Sequence, residues 1–272
     1  MALNLVTTEF DQKLQDVVAS PVGFGNKLLY EMCKNKDGQS WGDPAILADK
    51  IWLIGRSYAA SPERRYKRKP NAGQSIAGDG TGQFFAAVAK YILQHKSKLP
   101  TADFLLLNER LTFDGGEADK KRLEASINAV VALNQLLKAA ILTADGTAGH
   151  EEDCRNHLSF CSKFLHFHFP GSVFIIDSYS CENAKTLLST RNRYSLCLDS
   201  LNVSKTMRDS TITQRIKEGF SITPKQESDV SKEYLSHCLR AYTVGCIMRQ
   251  NAEKVTPRAV DTFLLNLKKQ KA

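Results

Sequence analysis

The sequence predicts an all-α protein, and three observations carry that prediction. Apolar residues recur at spacings of three and four through most of the chain. Two helix-starting pairs, Asp43-Pro44 and Thr256-Pro257, stand directly before such stretches. No alternation of strand-like with helix-like segments suggests a parallel sheet. About eight to ten helices are expected in one unit over residues 1–272, with 1–115 and 116–272 as its candidate lobes.

Composition narrows the class. The 272 residues, 42% apolar and 24% charged, suit a globular chain that builds its own core. Seven cysteines, an odd number scattered through predicted helices, read as reduced thiols packed as small hydrophobes, so a cytosolic setting is expected. The start, MALNLVTTEFDQKL, lacks the basic and apolar regions of a secretion signal. No unbroken apolar run of about 18 residues marks a membrane span, and no membrane association is expected. A net charge of +8 and a pI near 9.1 favour a polyanionic partner.

Taken in order, Phe10, Leu14, Val17 and Val18 predict a short leading helix over 10–19, stopped at Ser20-Pro21. Leu28, Leu29, Met32 and Cys33 share a face in a second, over 26–35. Asp43-Pro44 opens a third, with Leu47, Ile51, Ile54 and Tyr58 along one stripe. Arg56 falls beside that stripe, four residues after Trp52. It is either a snorkelling side chain at a helix end or a cation delivered to a cleft.

The next stretch, SPERRYKRK, sets Arg64, Arg65, Lys67, Arg68 and Lys69 around Tyr66. Cations this dense repel one another, so they are solvated or meet an anion. As an anion site they would contact a nucleic-acid backbone, with Tyr66 free to stack on a base or sugar. The connector NAGQSIAGDGTG, residues 71–82, is rich in glycine but lacks the Gly-Lys-Ser/Thr ending of a P-loop, and reads as a loop.

Phe84, Phe85, Val88, Tyr91 and Ile92 then predict an amphipathic helix, whereas Phe104 to Leu107 is too short to assign. After an Asp-Gly-Gly turn, Leu123, Ile127, Val130, Leu137 and Ile141 mark the buried face of a long helix over about 118–143. Further helices are expected over 180–189, over 231–250, and after Pro257, where Val260, Phe263, Leu264 and Leu267 point inward. The polar region 190–226, rich in Lys and Arg, is a second candidate anion-facing surface.

The chemistry concentrates in CSKFLHFHFPGSVFIIDSY, Cys161 to Tyr179, where Lys163 and Asp177 are the only ionised residues in an apolar, aromatic run. Burying two isolated charges is costly, so they form a packing ion pair or serve chemistry. Desolvation by Phe164, Leu165 and Phe167, and a helix beginning near Ser162, would disfavour the ammonium and free the amine as a nucleophile. Asp177 would then stabilise a developing cation or assist proton transfer. Cys154, His157 and Cys161 sit at metal-ligand spacing with His166 or His168 nearby, but no fourth ligand is defined, and neither metal nor cofactor is expected.

The pattern Ser-Lys-Phe-Leu-His-Phe, then Pro, then Val-Phe-Ile-Ile-Asp-Ser, resembles the helix-hairpin-helix DNA glycosylases, in particular divergent bacterial 8-oxoguanine DNA glycosylase-like proteins. The resemblance covers about 20 residues and implies an all-α fold with Lys163 as the catalytic lysine and Asp177 as its essential aspartate. It departs at His157 to Ser162, where the family's glycine-containing hairpin is absent. The implied activity is excision of a damaged or modified base from double-stranded DNA, with or without strand cleavage through a lysine Schiff base. Repair and defence against modified phage DNA are the settings. Trp52, His166 and Phe167 would line the pocket for the flipped base, and Arg56 with residues 64–69 would hold the backbone. Two rivals stay open: a non-catalytic nucleic-acid- or partner-binding protein on the same scaffold, and a Schiff-base enzyme acting on a small carbonyl compound.

Overall fold

The computed structural model describes residues 24–34, 41, 43–58, 60, 62, 82–144, 154–189 and 229–266. Among them are nine α-helices, one short 3-10 turn at Lys96–Lys98 and no β-strand, so the fold is all-α. In chain order the helices are α1 (Phe24–Cys33), α2 (Pro44–Ser57), α3 (Gly82–Gln94), α4 (Thr101–Leu106) and α5 (Glu117–Ala144). They continue as α6 (Leu158–His168), α7 (Ser178–Ser189), α8 (Asp229–Asn251) and α9 (Pro257–Asn266). The expected leading helix, the 64–69 cluster, residues 71–81 of the connector, the 190–226 region and Leu267 lie outside the described residues.

Local chemistry explains several boundaries. Asp43 caps α2 in an extended conformation, its Oδ1 accepting from Ala45 N at 2.8 Å and Ile46 N at 3.4 Å, with Pro44 in the first turn. Thr256 does the same for α9, where Oγ1 accepts from Ala259 N at 3.1 Å. The undecided run at Phe104 resolves as part of the short helix α4.

Helix α5 is the most apolar long helix among the described residues. No unbroken apolar run exists, yet an 18-residue window of this helix averages a hydropathy of 1.5, long and apolar enough by length and composition to cross a membrane. In the fold 56% of that window is buried in the protein. Its polar interruptions are used internally: buried Asn134 accepts from His157 N at 2.7 Å.

The chain divides into two compact units that interleave in sequence. One comprises Val22–Phe104 and Asn128–His168, the other Met1–Pro21, Leu105–Ile127 and Phe169–Ala272. In the first, α1 and α2 pack on α6, and α2 packs on α3. Helix α6 is buried along its whole length apart from Ser159, which makes it the central rod of this unit. Trp41 sits edge-on to Phe104 and Phe164, at 5.8 and 5.3 Å between ring centroids, and closes the core around it.

In the second unit α7, α8 and α9 pack on one another. The segment Val173 to Ile176 is buried but not helical, so its carbonyls need partners from elsewhere. Helix α8 supplies them: Tyr234 Oη donates to Phe174 O at 2.8 Å, and His237 Nε2 lies 2.9 Å from Ile175 O. Phe113 holds a left-handed backbone, φ 59°, and stacks on Tyr242 at 5.4 Å. Its ring lies where a side chain on Gly245 would stand, so Gly245→Ala drives a methyl into an aromatic ring. The Phe113 N–H is fixed by Asp119 at 2.7 Å and the ring cannot retreat freely. We expect a loss of about 3 kcal/mol in chemical denaturation; a variant within about 0.5 kcal/mol of wild type would show that the contact relaxes at little cost.

Candidate active site residues

Lys163 occupies the second turn of α6, because the helix begins at Leu158 and not near Ser162 as expected. The earlier start follows from His157, whose carbonyl accepts from Cys161 N at 2.8 Å and whose own N–H is held by Asn134. The lysine is only 4% exposed. Its Nζ donates to Ser159 Oγ at 2.9 Å, one turn back, and lies 5.4 Å from the centroid of the Tyr58 ring. The fold thus holds an amine between a hydroxyl and an aromatic face, inside a helix that is otherwise apolar and aromatic.

His166 and Phe167 belong to the same unit and are buried. His166 Nε2 lies 2.7 Å from Tyr30 Oη, and Phe167 packs against the rings of Tyr30 at 4.8 Å and Tyr58 at 5.5 Å. Tyr30 and Tyr58, both half-buried, therefore join Lys163, His166 and Phe167 into one cluster. Trp52 and Arg56 stand apart in character, with Trp52 45% exposed and Arg56 exposed in the last turn of α2, where a cation suits the helix dipole. Arg64, Arg65, Tyr66, Lys67, Arg68 and Lys69 lie outside the described residues.

Asp177 belongs to the other unit, at the junction of the buried segment and α7. It caps that helix: Oδ1 accepts from Tyr179 N at 2.9 Å, and its carbonyl accepts from Cys181 N at 2.9 Å. Half-buried and oriented by a backbone amide, it is a fixed carboxylate at a helix start. On the next turn Cys181 Sγ lies 3.2 Å from His237 Nδ1. The bond from His237 Nε2 to Ile175 O makes Nε2 the protonated nitrogen, so the thiol donates to Nδ1. Burial, and next the Glu233 carboxylate, push the Cys181 thiol up to about 12, which keeps it protonated.

Sequence reasoning missed Ser159, Tyr30 and the Cys181–His237 pair, and it missed a second interior lysine. Lys50 on α2 is 2% exposed, and burial lowers its proton affinity, offset in part by Cys33. Only the Ser159–Lys163 pair had a local signal, its four-residue spacing on one helical face.

Among the described residues no three His, Cys, Asp or Glu side chains are arranged to hold a metal ion. Cys154, His157 and Cys161 are instead buried at the start of α6, with burial raising the Cys161 thiol and lowering the His157 imidazole to about 4. None of the six described cysteines is in a disulfide. No family model, curated protein or solved structure matches the chain.

Proposed function

We propose that the chain is a DNA glycosylase acting on double-stranded DNA, with Lys163 as its nucleophile. The observation that supports this reading most is the placement of one primary amine, almost wholly enclosed, against a hydroxyl and an aromatic face. In the proposed reaction the Nζ lone pair attacks the deoxyribose C1′ of a flipped nucleotide. The glycosidic C1′–N bond breaks, its electron pair leaves on the base, and the base takes up a proton. Loss of a proton from the Lys163 nitrogen and opening of the sugar ring give the Schiff base, from which strand cleavage can follow. By the family resemblance, Asp177 is the carboxylate proposed to stabilise cationic charge on the sugar. The cations of 64–69 supply the sequence-independent grip on phosphate.

Borohydride reduction traps such an imine. Wild-type protein is expected to give a covalent adduct with at least one duplex in a panel carrying oxidised, alkylated or enzymatically modified bases, and Lys163→Gln to give none. Absence of adduct across the panel, together with salt-dependent duplex binding that Lys163→Gln leaves unchanged, would overturn the catalytic reading in favour of a binding protein on this scaffold.

A further inference from the structure

We propose that Ser159 orients the Lys163 amine and carries its proton to solvent, an inference that rests on the reading of Lys163 as a Schiff-base nucleophile. Ser159 is the one residue of α6 that is not buried, while Lys163, a turn further on, is 4% exposed. The two side chains share a helical face, and the Nζ–Oγ separation is 2.9 Å. A lysine amine ends a stem with four rotatable bonds, so a fixed acceptor is what holds its lone pair in one direction. A hydroxyl has one proton and two lone pairs. It can accept a hydrogen bond from the buried amine with one lone pair and donate its own proton to water at the surface.

The transfer balances without any other reagent. One N–H bond of the ammonium breaks and its proton joins Oγ. The original hydroxyl proton passes to water, the hydroxyl is restored, and the amine keeps the electron pair with which it attacks carbon. The same path serves the proton that the Lys163 nitrogen sheds on forming the imine. Ser159 acts here through the lysine, 2.9 Å away, which makes it a positioning and relay residue.

The test compares wild type, Ser159→Ala and Ser159→Thr in two assays. One is single-turnover borohydride trapping on duplex DNA. The other needs no DNA: methylation of Lys163 by formaldehyde and dimethylamine-borane, read by peptide mass spectrometry against pH. Alanine at a partly exposed helical position favours the helix, so Ser159→Ala should fold. Near neutral pH that variant is expected to react at Lys163 about tenfold more slowly, with the deficit closing at alkaline pH where hydroxide takes the proton. DNA affinity and thermal midpoint stay at wild-type values, and Ser159→Thr, which keeps the hydroxyl, restores the rate. Equal methylation rates for wild type and Ser159→Ala at every pH would overturn the relay, as would a deficit that threonine does not relieve. Failure of trapping on every duplex overturns the glycosylase reading alone, since the formaldehyde arm still reports on Ser159.

Discussion

Asp119→Ala is expected to lower the unfolding free energy by about 3–5 kcal/mol, enough to unfold a marginal domain. The carboxylate is 0% exposed and is the acceptor for an entire corner of its unit. Thr112 N donates to it at 2.9 Å, Phe113 N at 2.7 Å, Tyr242 Oη at 2.7 Å and Arg122 Nη1 at 3.1 Å. Thr112 and Phe113 lie in a connection without helix or strand, where those backbone N–H groups have no ladder to join. Alanine leaves the Phe113 N–H and the Tyr242 hydroxyl buried without that acceptor, while the Thr112 N–H, on an exposed residue, can turn to water; each buried orphaned donor costs about 1–3 kcal/mol. Tyr242 Oη also receives Gly115 N at 3.0 Å, so the loss spreads to the turn that starts α5. Burial raises the Tyr242 phenol well above its ordinary range, and the neighbouring Asp119 charge adds to that, so the hydroxyl stays a donor. Arg122 keeps its pairing to Glu109 at 2.7 Å, which confines the damage to the carboxylate itself. Urea denaturation gives the number directly. A cost below about 1 kcal/mol would mean that water or another acceptor reaches these groups, and that the corner is not held as described.

How much of this was legible in the sequence follows from distance along the chain. Helices α2 and α9 announced themselves because Asp43-Pro44 and Thr256-Pro257 act on amides two or three residues away. Helix α4 did not, since six residues span too few turns to show a period. The start of α6 was misplaced because its first residues are anchored by Asn134, 23 residues earlier, and no local cap marks the spot. The interleaving of the two units is equally invisible to periodicity, which identifies a buried face without saying which core it enters.

The candidate site divides the same way. That Lys163 is buried was readable from the apolar residues on either side of it, and that Asp177 stands at a helix start was readable from the helix-like pattern after it. Tyr30 was not readable, because it meets His166 across 136 residues. Nor were the partners of His237, whose contacts with Ile175 and Cys181 reach back 62 and 56 residues. Residues that look ordinary in sequence become special when the fold withdraws their solvent. The charged pair had a sequence signature only because ionised groups are rare in apolar runs.

Histidines show the consequence most sharply, and they predict acid sensitivity. His157, His168 and His237 are buried, and burial lowers their imidazoles to about 4, about 3 and about 4. The positive neighbours act in the same direction: Lys138 and Arg155 beside His157, Lys50 beside His168, and Arg240 beside His237. Opposing them are the Phe164 carbonyl at His168, and the Ile175 carbonyl and Asp177 at His237, which are weaker than burial. In the unfolded chain each ring takes a proton near its ordinary value of 6.5. The folded state therefore binds fewer protons below that value, and the stability these groups contribute is full above 6.5 and drains away as pH falls toward 4 and then 3. By the end of that window His157 and His237 account for up to about 3 kcal/mol each and His168 for up to about 5 kcal/mol. Two of them, His157 and His168, act on one unit, and His237 acts on the other. The measurement is a denaturant midpoint series from neutral to acid pH alongside imidazole proton shifts in the folded protein. Three histidines still neutral at pH 5, with the midpoint already falling, is the expected result. Rings that titrate near 6.5 while the midpoint stays level would show that water reaches them, and the packing around α6 and α8 would have to be looser than the hydrogen bonds to Phe164 and Ile175 require.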